Sequence, residues 1–185
     1  MNTFEHHFLI AMPSLQDPFF QRSVTYICEH NEDGAMGIVI NHPLKATIGD
    51  LLQQLDIEFD PKNPITEQAV CAGGPVQADR GFVLHKAQPG YLSSMQLDDD
   101  LMITTSKDIL QSLTTSDGPD KFLLALGYAG WVAGQLEQEI ADNSWLVIPA
   151  DSSIIFDLAH AYKWQAATKK MGIETWQLSG SAGHA

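Results

Sequence analysis

The spacing of apolar residues changes period several times along the chain, and each change predicts an element. Residues 8–11 are a short continuous apolar run closed by Met12-Pro13, which predicts a buried strand. Asp17-Pro18 pairs an N-cap with a proline at the first helical position, so one turn of helix is expected over 18–22. β-formers over 23–30, the turn residues Asn31-Glu32-Asp33-Gly34 and a return over 35–41 predict an antiparallel hairpin. Thr47 with Asp50 resembles a capping box ahead of Leu51, Leu52 and Leu55 at helical spacing. Residues 56–66 are polar and proline-containing, hence a loop.

Strands over 69–72 and 81–86 flank the turn Gly73-Gly74-Pro75, and 88–97 reads as another loop. A strand over 101–105 leads to a helix capped by Ser106 and carrying Ile109, Leu110 and Leu113. A strand over 121–126, a turn Gly127-Tyr128-Ala129-Gly130 and a helix over 131–142 follow, then a strand over 145–148. The last helix spans about 158 to 171 with Gly172 as its C-cap, and the small residues 179–185 read as a flexible tail. Strands alternate with helices while the early hairpin is antiparallel. One α/β domain with a mixed sheet flanked by helices is therefore expected.

Composition narrows the function classes. With 185 residues, 44% of them hydrophobic, the chain can bury a core without a disulfide or metal staple. The formal charge of −13, with only ten Lys plus Arg and no basic run, disfavours direct nucleic-acid binding, which draws on counterion release by basic side chains. Cys28 and Cys71 form no CxxC and read as buried thiols of a reducing compartment. The first residues lack a basic start, and the apolar run at 8–12 is too short for an export signal or a membrane span. A cytoplasmic address and no membrane association are expected.

Three constellations carry candidate chemistry. The strand, glycine turn and helix around Gly127–Trp131 have the layout of a nucleophile elbow, but no serine, cysteine or threonine occupies the bend. What that layout leaves is either a helix N-terminus that favours an anion or glycines that let the helix pack closely. On that helix Val132, Leu136 and Ile140 form a core stripe. Glu137 and Glu139 diverge, and Gln135 and Glu139 share a face.

In Cys28-Glu29-His30, strand alternation points Cys28 and His30 one way and Glu29 the other. Cys-x-His could begin a zinc site completed by Cys71 or His85, yet these show no ligand-pair spacing, so no metal or cofactor is assigned. Third, Gly73-Gly74 permits a backbone nest, and Arg80 could clamp a carboxylate or phosphate. The plain alternative there is a tight turn with a structural Arg–carboxylate bond. No nucleotide-binding glycine motif is present.

Taken together, Phe8-Leu-Ile-Ala-Met-Pro13, Cys28-Glu-His30, Gly73-Gly-Pro-Val76, Arg80-Gly-Phe-Val-Leu-His85, Gly127-Tyr-Ala-x-Trp131 and Gly134-Gln-Leu-Glu-x-Glu-Ile140 resemble the AlgH-like (YqgE) family of bacterial proteins along almost the whole chain. The resemblance implies a compact α/β fold with a bifurcated, largely antiparallel mixed sheet, partly barrel-like and surrounded by helices. It also implies a bacterial cytosolic protein and brings the label of transcriptional regulator. It carries over no catalytic or cofactor residue.

The leading expectation is a binding or regulatory module for a small anionic ligand or a protein partner. Its candidate residues are Arg80, Gly73, Gly74, Gln135, Glu139 and Asn143. The rival is a hydrolase-like enzyme whose site gathers Glu29, His30, His85 and Glu139 from separate elements. The third reading, regulation by direct DNA contact, finds neither a basic patch nor a helix-turn-helix.

Overall fold

The computed structural model describes residues 3–172, and the tail expected over 179–185 lies outside them. Among the described residues, ten strands form one sheet: β1 (His7–Ala11), β2 (Val24–Asn31), β3 (Gly34–Val39), β4 (Pro43–Thr47), β5 (Ala69–Ala72), β6 (Val76–Lys86), β7 (Ser94–Gln96), β8 (Leu101–Thr104), β9 (Phe122–Val132) and β10 (Trp145–Pro149). Five helices accompany it: α1 (Ile48–Gln54), α2 (Lys107–Ser112), α3 (Gln135–Ala141), α4 (Ser152–Phe156) and α5 (His160–Lys170). The main path runs β10-β1-β2-β3-β9-β6-β8-β7, and its pairings are antiparallel. The sheet curls into a half-barrel, the bifurcated mixed α/β architecture that the resemblance implies.

The fork lies on β9. Its last residues pair with β3, from Gly37↔Ala129 to Gly34↔Val132. Further back, β5 takes the place of β3 as a parallel neighbour at Cys71↔Ala125, while β6 holds the opposite edge. The link from β5 to β6 therefore passes across the backbone of β9. A Cβ on Gly74 would stand 1.8 Å from the Tyr128 carbonyl carbon, and one on Gly73 would stand 2.4 Å from the Gly127 carbonyl oxygen. Gly127, with φ 77°, closes the same contact from below, since its own Cβ would meet the Gly74 oxygen at 2.3 Å. Two chains cross here at a separation that side chains forbid.

Three apolar clusters hold the layers. The concave face buries Phe8, Ile10, Tyr26, Ile38 and Leu84 against Trp164 of α5. Val83 and Leu124 on the opposite face pack against Ile48 and Leu52 of α1 and Ile109 and Leu110 of α2. Leu9, Ile27, Trp131 and Trp145 pack against Leu136 of α3. Where the sequence carries local signals, the elements follow them. Asp17 Oδ1 accepts from the Phe19 and Phe20 N–H groups, Thr47 and Asp50 form a reciprocal capping box, and Gly172 follows α5 with φ 73°.

The largest correction is at Gly127–Trp131, which is neither a turn nor a helix start. β9 runs through it to Val132 because β3 supplies a ladder partner there, and α3 begins only after Gly134 at φ 77°. Val132 accordingly leaves the expected core stripe and is 71% exposed. A register shift between Ile27 and Glu29 also breaks the expected alternation in β2. Glu29 turns to the concave side opposite Met36, and His30 lies on the other side from Cys28.

Smaller departures follow long-range pairing. β6 starts at Val76, β7 forms within the expected loop at 88–97, and a 3-10 turn at Pro64–Glu67 ends the expected loop at 56–66. β4 and α4 were without a local signal, and α5 starts at His160 rather than near 158. Ser106 stands at the N-cap of α2, but its hydroxyl donates to Asp108 Oδ1 instead of capping the helix.

Candidate functional site

The fork leaves a space on the concave side. Beyond Tyr128 the two edges of the sheet diverge, with the tip of the β2–β3 hairpin on one side and the end of the β7–β8 pair away from its turn on the other. They enclose an open cleft of about 880 Å³. Its apolar lining includes Met36, Phe82, Ile103 and Tyr128, with the Phe82 and Tyr128 rings edge to face at 5.7 Å. Gly130 lies among them on β9.

Arg80 is the cation of this cleft. β6 slips by several residues against β9 between Val76 and Gly81, with Gln77 at φ 46°, and the displaced segment presents Arg80 to the cleft. The guanidinium lies 5.2 Å from the centroid of the Phe82 ring, and Nη1 donates to Gln77 Oε1 at 3.4 Å. Among the described residues no carboxylate comes within ion-pair distance of it. The structural Arg–carboxylate bond considered as an alternative is thus not made. Glu29 and Asp33 line the opposite wall.

The other candidates are distributed over the molecule. Gly73 and Gly74 are buried in the strand crossing, with the Gly73 N–H donating to the Leu126 carbonyl and the Gly73 carbonyl accepting from Val39. Glu139 Oε2 accepts from the indole N–H of Trp131 at 2.6 Å and of Trp145 at 3.3 Å. Gln135 accepts from the Val132 N–H and donates to Glu139 Oε1 at 3.4 Å, so the expected shared face of these two residues is present. Asn143, at φ 60°, makes the bend between α3 and β10. All three lie with the tryptophan cluster, behind β9 as seen from the cleft.

Nor do the four residues of the enzymatic alternative converge. His30 accepts at Nδ1 from the Phe4 N–H, so Nε2 carries the proton and donates to Glu137 at 2.5 Å. That carboxylate is held below its ordinary range by its own backbone N–H and by His30. His85 is fully buried and its basicity is lowered by desolvation. Its Nδ1–H donates to the Lys86 carbonyl, and Nε2 accepts from Thr104, which in turn accepts from Ser94. This chain of hydrogen bonds lies on the face covered by α2, the opposite side of the sheet from Phe82 and Met36. Glu29 alone of the four reaches the cleft.

One buried polar cluster carried no expectation. Lys163 on α5 is fully buried and its Nζ donates to the carbonyls of Ile40 and Ile155, each at 2.8 Å. Desolvation pulls its pKa down to about 8. His160 Nδ1 donates to the same Ile40 carbonyl at 3.2 Å, and its Nε2 lies 3.6 Å from Cys71 Sγ. Burial pushes the Cys71 thiol up to about 11, so it is protonated at neutral pH and a poor nucleophile. Cys28, also buried, is raised further by desolvation. The signal for this cluster was a lysine beside Trp164 on the apolar side of α5, where a charge has to find backbone carbonyls.

Among the described residues, no group of three His, Cys, Asp or Glu side chains is arranged to hold a metal ion, and no helix is long and apolar enough to cross a membrane. Cys28 and Cys71 lie in the concave-face core while His30 bonds to Glu137 and His85 to Thr104 on other faces, so the Cys-x-His grouping does not assemble.

Comparison with known proteins agrees with this architecture. The solution structure of the AlgH protein from Pseudomonas aeruginosa superposes with a TM-score of 0.81 at 45% identity, covering all of both chains. A crystal structure of protein DIP2367 from Corynebacterium diphtheriae shares the fold with a TM-score of 0.73 at 21% identity, over 92% of this chain and 88% of that one. The UPF0301 protein PSHAa2600 of Pseudoalteromonas translucida is 57% identical over 185 residues, and a UPF0301 protein of Shewanella oneidensis is 53% identical over 187. Both alignments span the full length of each partner. The family model described as AlgH-like matches residues 8–176. The chain belongs to the AlgH-like family.

Proposed function

We propose that the protein is a binding module whose cleft takes a small anionic ligand with an apolar body. The observation that carries this reading is Arg80, a guanidinium without a carboxylate partner among the described residues, held over Phe82 at the edge of an apolar cleft. In a chain with 23 acidic residues, a cation left unpaired in a cleft is a vacancy for a ligand's charge. Glu29 and Asp33 on the facing wall, and the net charge of −13, select against polyanions. A monocarboxylate fits better than a nucleotide or a duplex, so regulation by direct DNA contact gets no support from this surface. The enzymatic alternative lacks an assembled set of groups.

The test is calorimetric titration with 2-naphthoate and with 2-naphthamide, its neutral counterpart. A charge-assisted bond to Arg80 predicts a preference for the acid of about tenfold. Arg80→Gln should erase that preference while leaving amide binding in place. Equal binding of the two compounds by the wild type, or a preference that survives Arg80→Gln, would overturn the proposal.

A further inference from the structure

Glycines on β3 and β9 have different reasons to be glycine. A Cβ on Gly34 would stand 2.1 Å from the Trp131 carbonyl oxygen, one on Gly37 would stand 2.8 Å from Thr25 and the Tyr26 carbonyl, and one on Gly127 would stand 2.3 Å from the Gly74 carbonyl. Packing requires all three. Gly130 is different. Its φ is not positive, the β3–β9 ladder passes through it in register, and a Cβ there would meet nothing nearer than Tyr128 Cε2 at 3.5 Å and Val76 Cγ2 at 4.0 Å. A methyl fits, and strand propensity favours a β-branched residue over glycine. The fold gives no reason for its absence.

The cleft gives one. Strand alternation turns Tyr128, Gly130 and Val132 toward the cleft and Ala129 and Trp131 toward the cluster behind. Gly130 is thus a bare stretch of peptide in the cleft floor, ringed by Tyr128, Val76, Met36 and Val132. The missing side chain leaves the peptide open between the Tyr128 and Val76 side chains. Glycine inside a strand often marks a bulge, a tight bend or a close approach to the backbone, and the ladder at Gly130 has no bulge. A flat ring can lie against that peptide with its edge toward the Tyr128 ring, leaving an attached carboxylate to reach Arg80.

We infer that Gly130 is a specificity-determining residue of the cleft, and that the ligand is a planar, aromatic or conjugated carboxylate whose ring lies on the Gly130 backbone. This rests on the anion-binding reading of the same cleft, and adds to it the shape of the ligand's body.

Calorimetric titration of the full chain with 2-naphthoate and with decahydro-2-naphthoate separates flatness from charge, because both carry the carboxylate. The wild type should favour the flat acid by about tenfold, since a saturated bicycle cannot lie flush against the bare peptide. Gly130→Val should weaken 2-naphthoate by about tenfold without lowering the unfolding midpoint, and should leave the saturated acid within about twofold of its wild-type affinity. Gly130→Ala, whose methyl clears its neighbours, should fold as the wild type does and weaken 2-naphthoate by about threefold.

Equal affinity for the flat and saturated acids overturns the inference about shape, and so does a folded Gly130→Ala or Gly130→Val that keeps wild-type affinity for 2-naphthoate. Either result leaves the preference of acid over amide standing. Conversely, a loss of the acid-over-amide preference with the Gly130 effect retained removes the anion and keeps the ring. No binding of 2-naphthoate by the wild type overturns both.

Discussion

Lys163 offers a quantitative test of how the core is held. Its ammonium is fully buried and bonded to two carbonyls, and desolvation lowers its pKa from 10.5 to about 8. Between these two values the unfolded chain binds more protons at this site than the folded one, so the Lys163 contribution to stability increases as pH rises through that window. The slope approaches about 1.4 kcal/mol per pH unit, and integration from about pH 7 to about pH 9 gives about 1 kcal/mol.

Other groups act in the opposite sense. The folded state holds Cys71 and Cys28 protonated after the unfolded thiols begin to ionise, so their contribution falls with pH. His160, the remaining titratable neighbour, is held below its ordinary value by burial and by Lys163, and has lost its proton before this window opens. The raw stability curve is therefore nearly flat, and the informative quantity is the wild-type stability minus that of Lys163→Met. Urea unfolding with the thiols kept reduced should show this difference growing by about 1 kcal/mol between about pH 7 and about pH 9. A difference independent of pH would refute the reasoning, because it would mean that Lys163 keeps an ordinary pKa in the folded protein.

Two further perturbations test the crossing and the tryptophan cluster. Gly74→Ala sets a methyl 1.8 Å from the backbone of Tyr128 and should cost about 3 kcal/mol or more, or prevent folding. Gly81→Ala, with nothing within 4 Å of its new methyl, should stay within about 0.5 kcal/mol of wild type in the same urea assay, and matching behaviour of the two variants would contradict the crossing. Glu139→Gln removes the charge that both indole N–H groups meet at one oxygen and sets the new amide N–H against Gln135 or against the indoles, and should cost about 1–2 kcal/mol with a shift in tryptophan emission. Unchanged stability and emission would show that the carboxylate does not hold the two rings.

What could be read in the sequence was what short-range chemistry decides. The capping box at Thr47 and Asp50, the Asp17-Pro18 turn and the β2–β3 hairpin each close within a few residues, and each is present. Gly127–Trp131 misleads because its glycine serves a partner, Gly74, fifty-three positions back, and a strand crossing leaves the same local trace as a strand-to-helix bend. The bulge before Glu29 depends on how β2 registers against β3, which side-chain alternation alone does not specify.

The candidate site divides in the same way. Arg80 was visible as a clamp beside glycines, and Glu29 as a polar residue on a strand. Their meeting in one cleft is a product of the fork at β9. Phe82, Met36 and Tyr128 carry no local signal of a site, and they become the floor of the cleft only because the sheet edges part above them.

Amide shift mapping of the 15N-labelled protein during titration with 2-naphthoate tests the central claim most directly. The account predicts shifts centred on the cleft amides of Tyr128, Gly130 and Arg80, together with the Arg80 side-chain Nε–H, while Gln135 and Asn143 behind β9 stay still. Shifts centred on α3 and its flanking bends, or none that saturate, would contradict it.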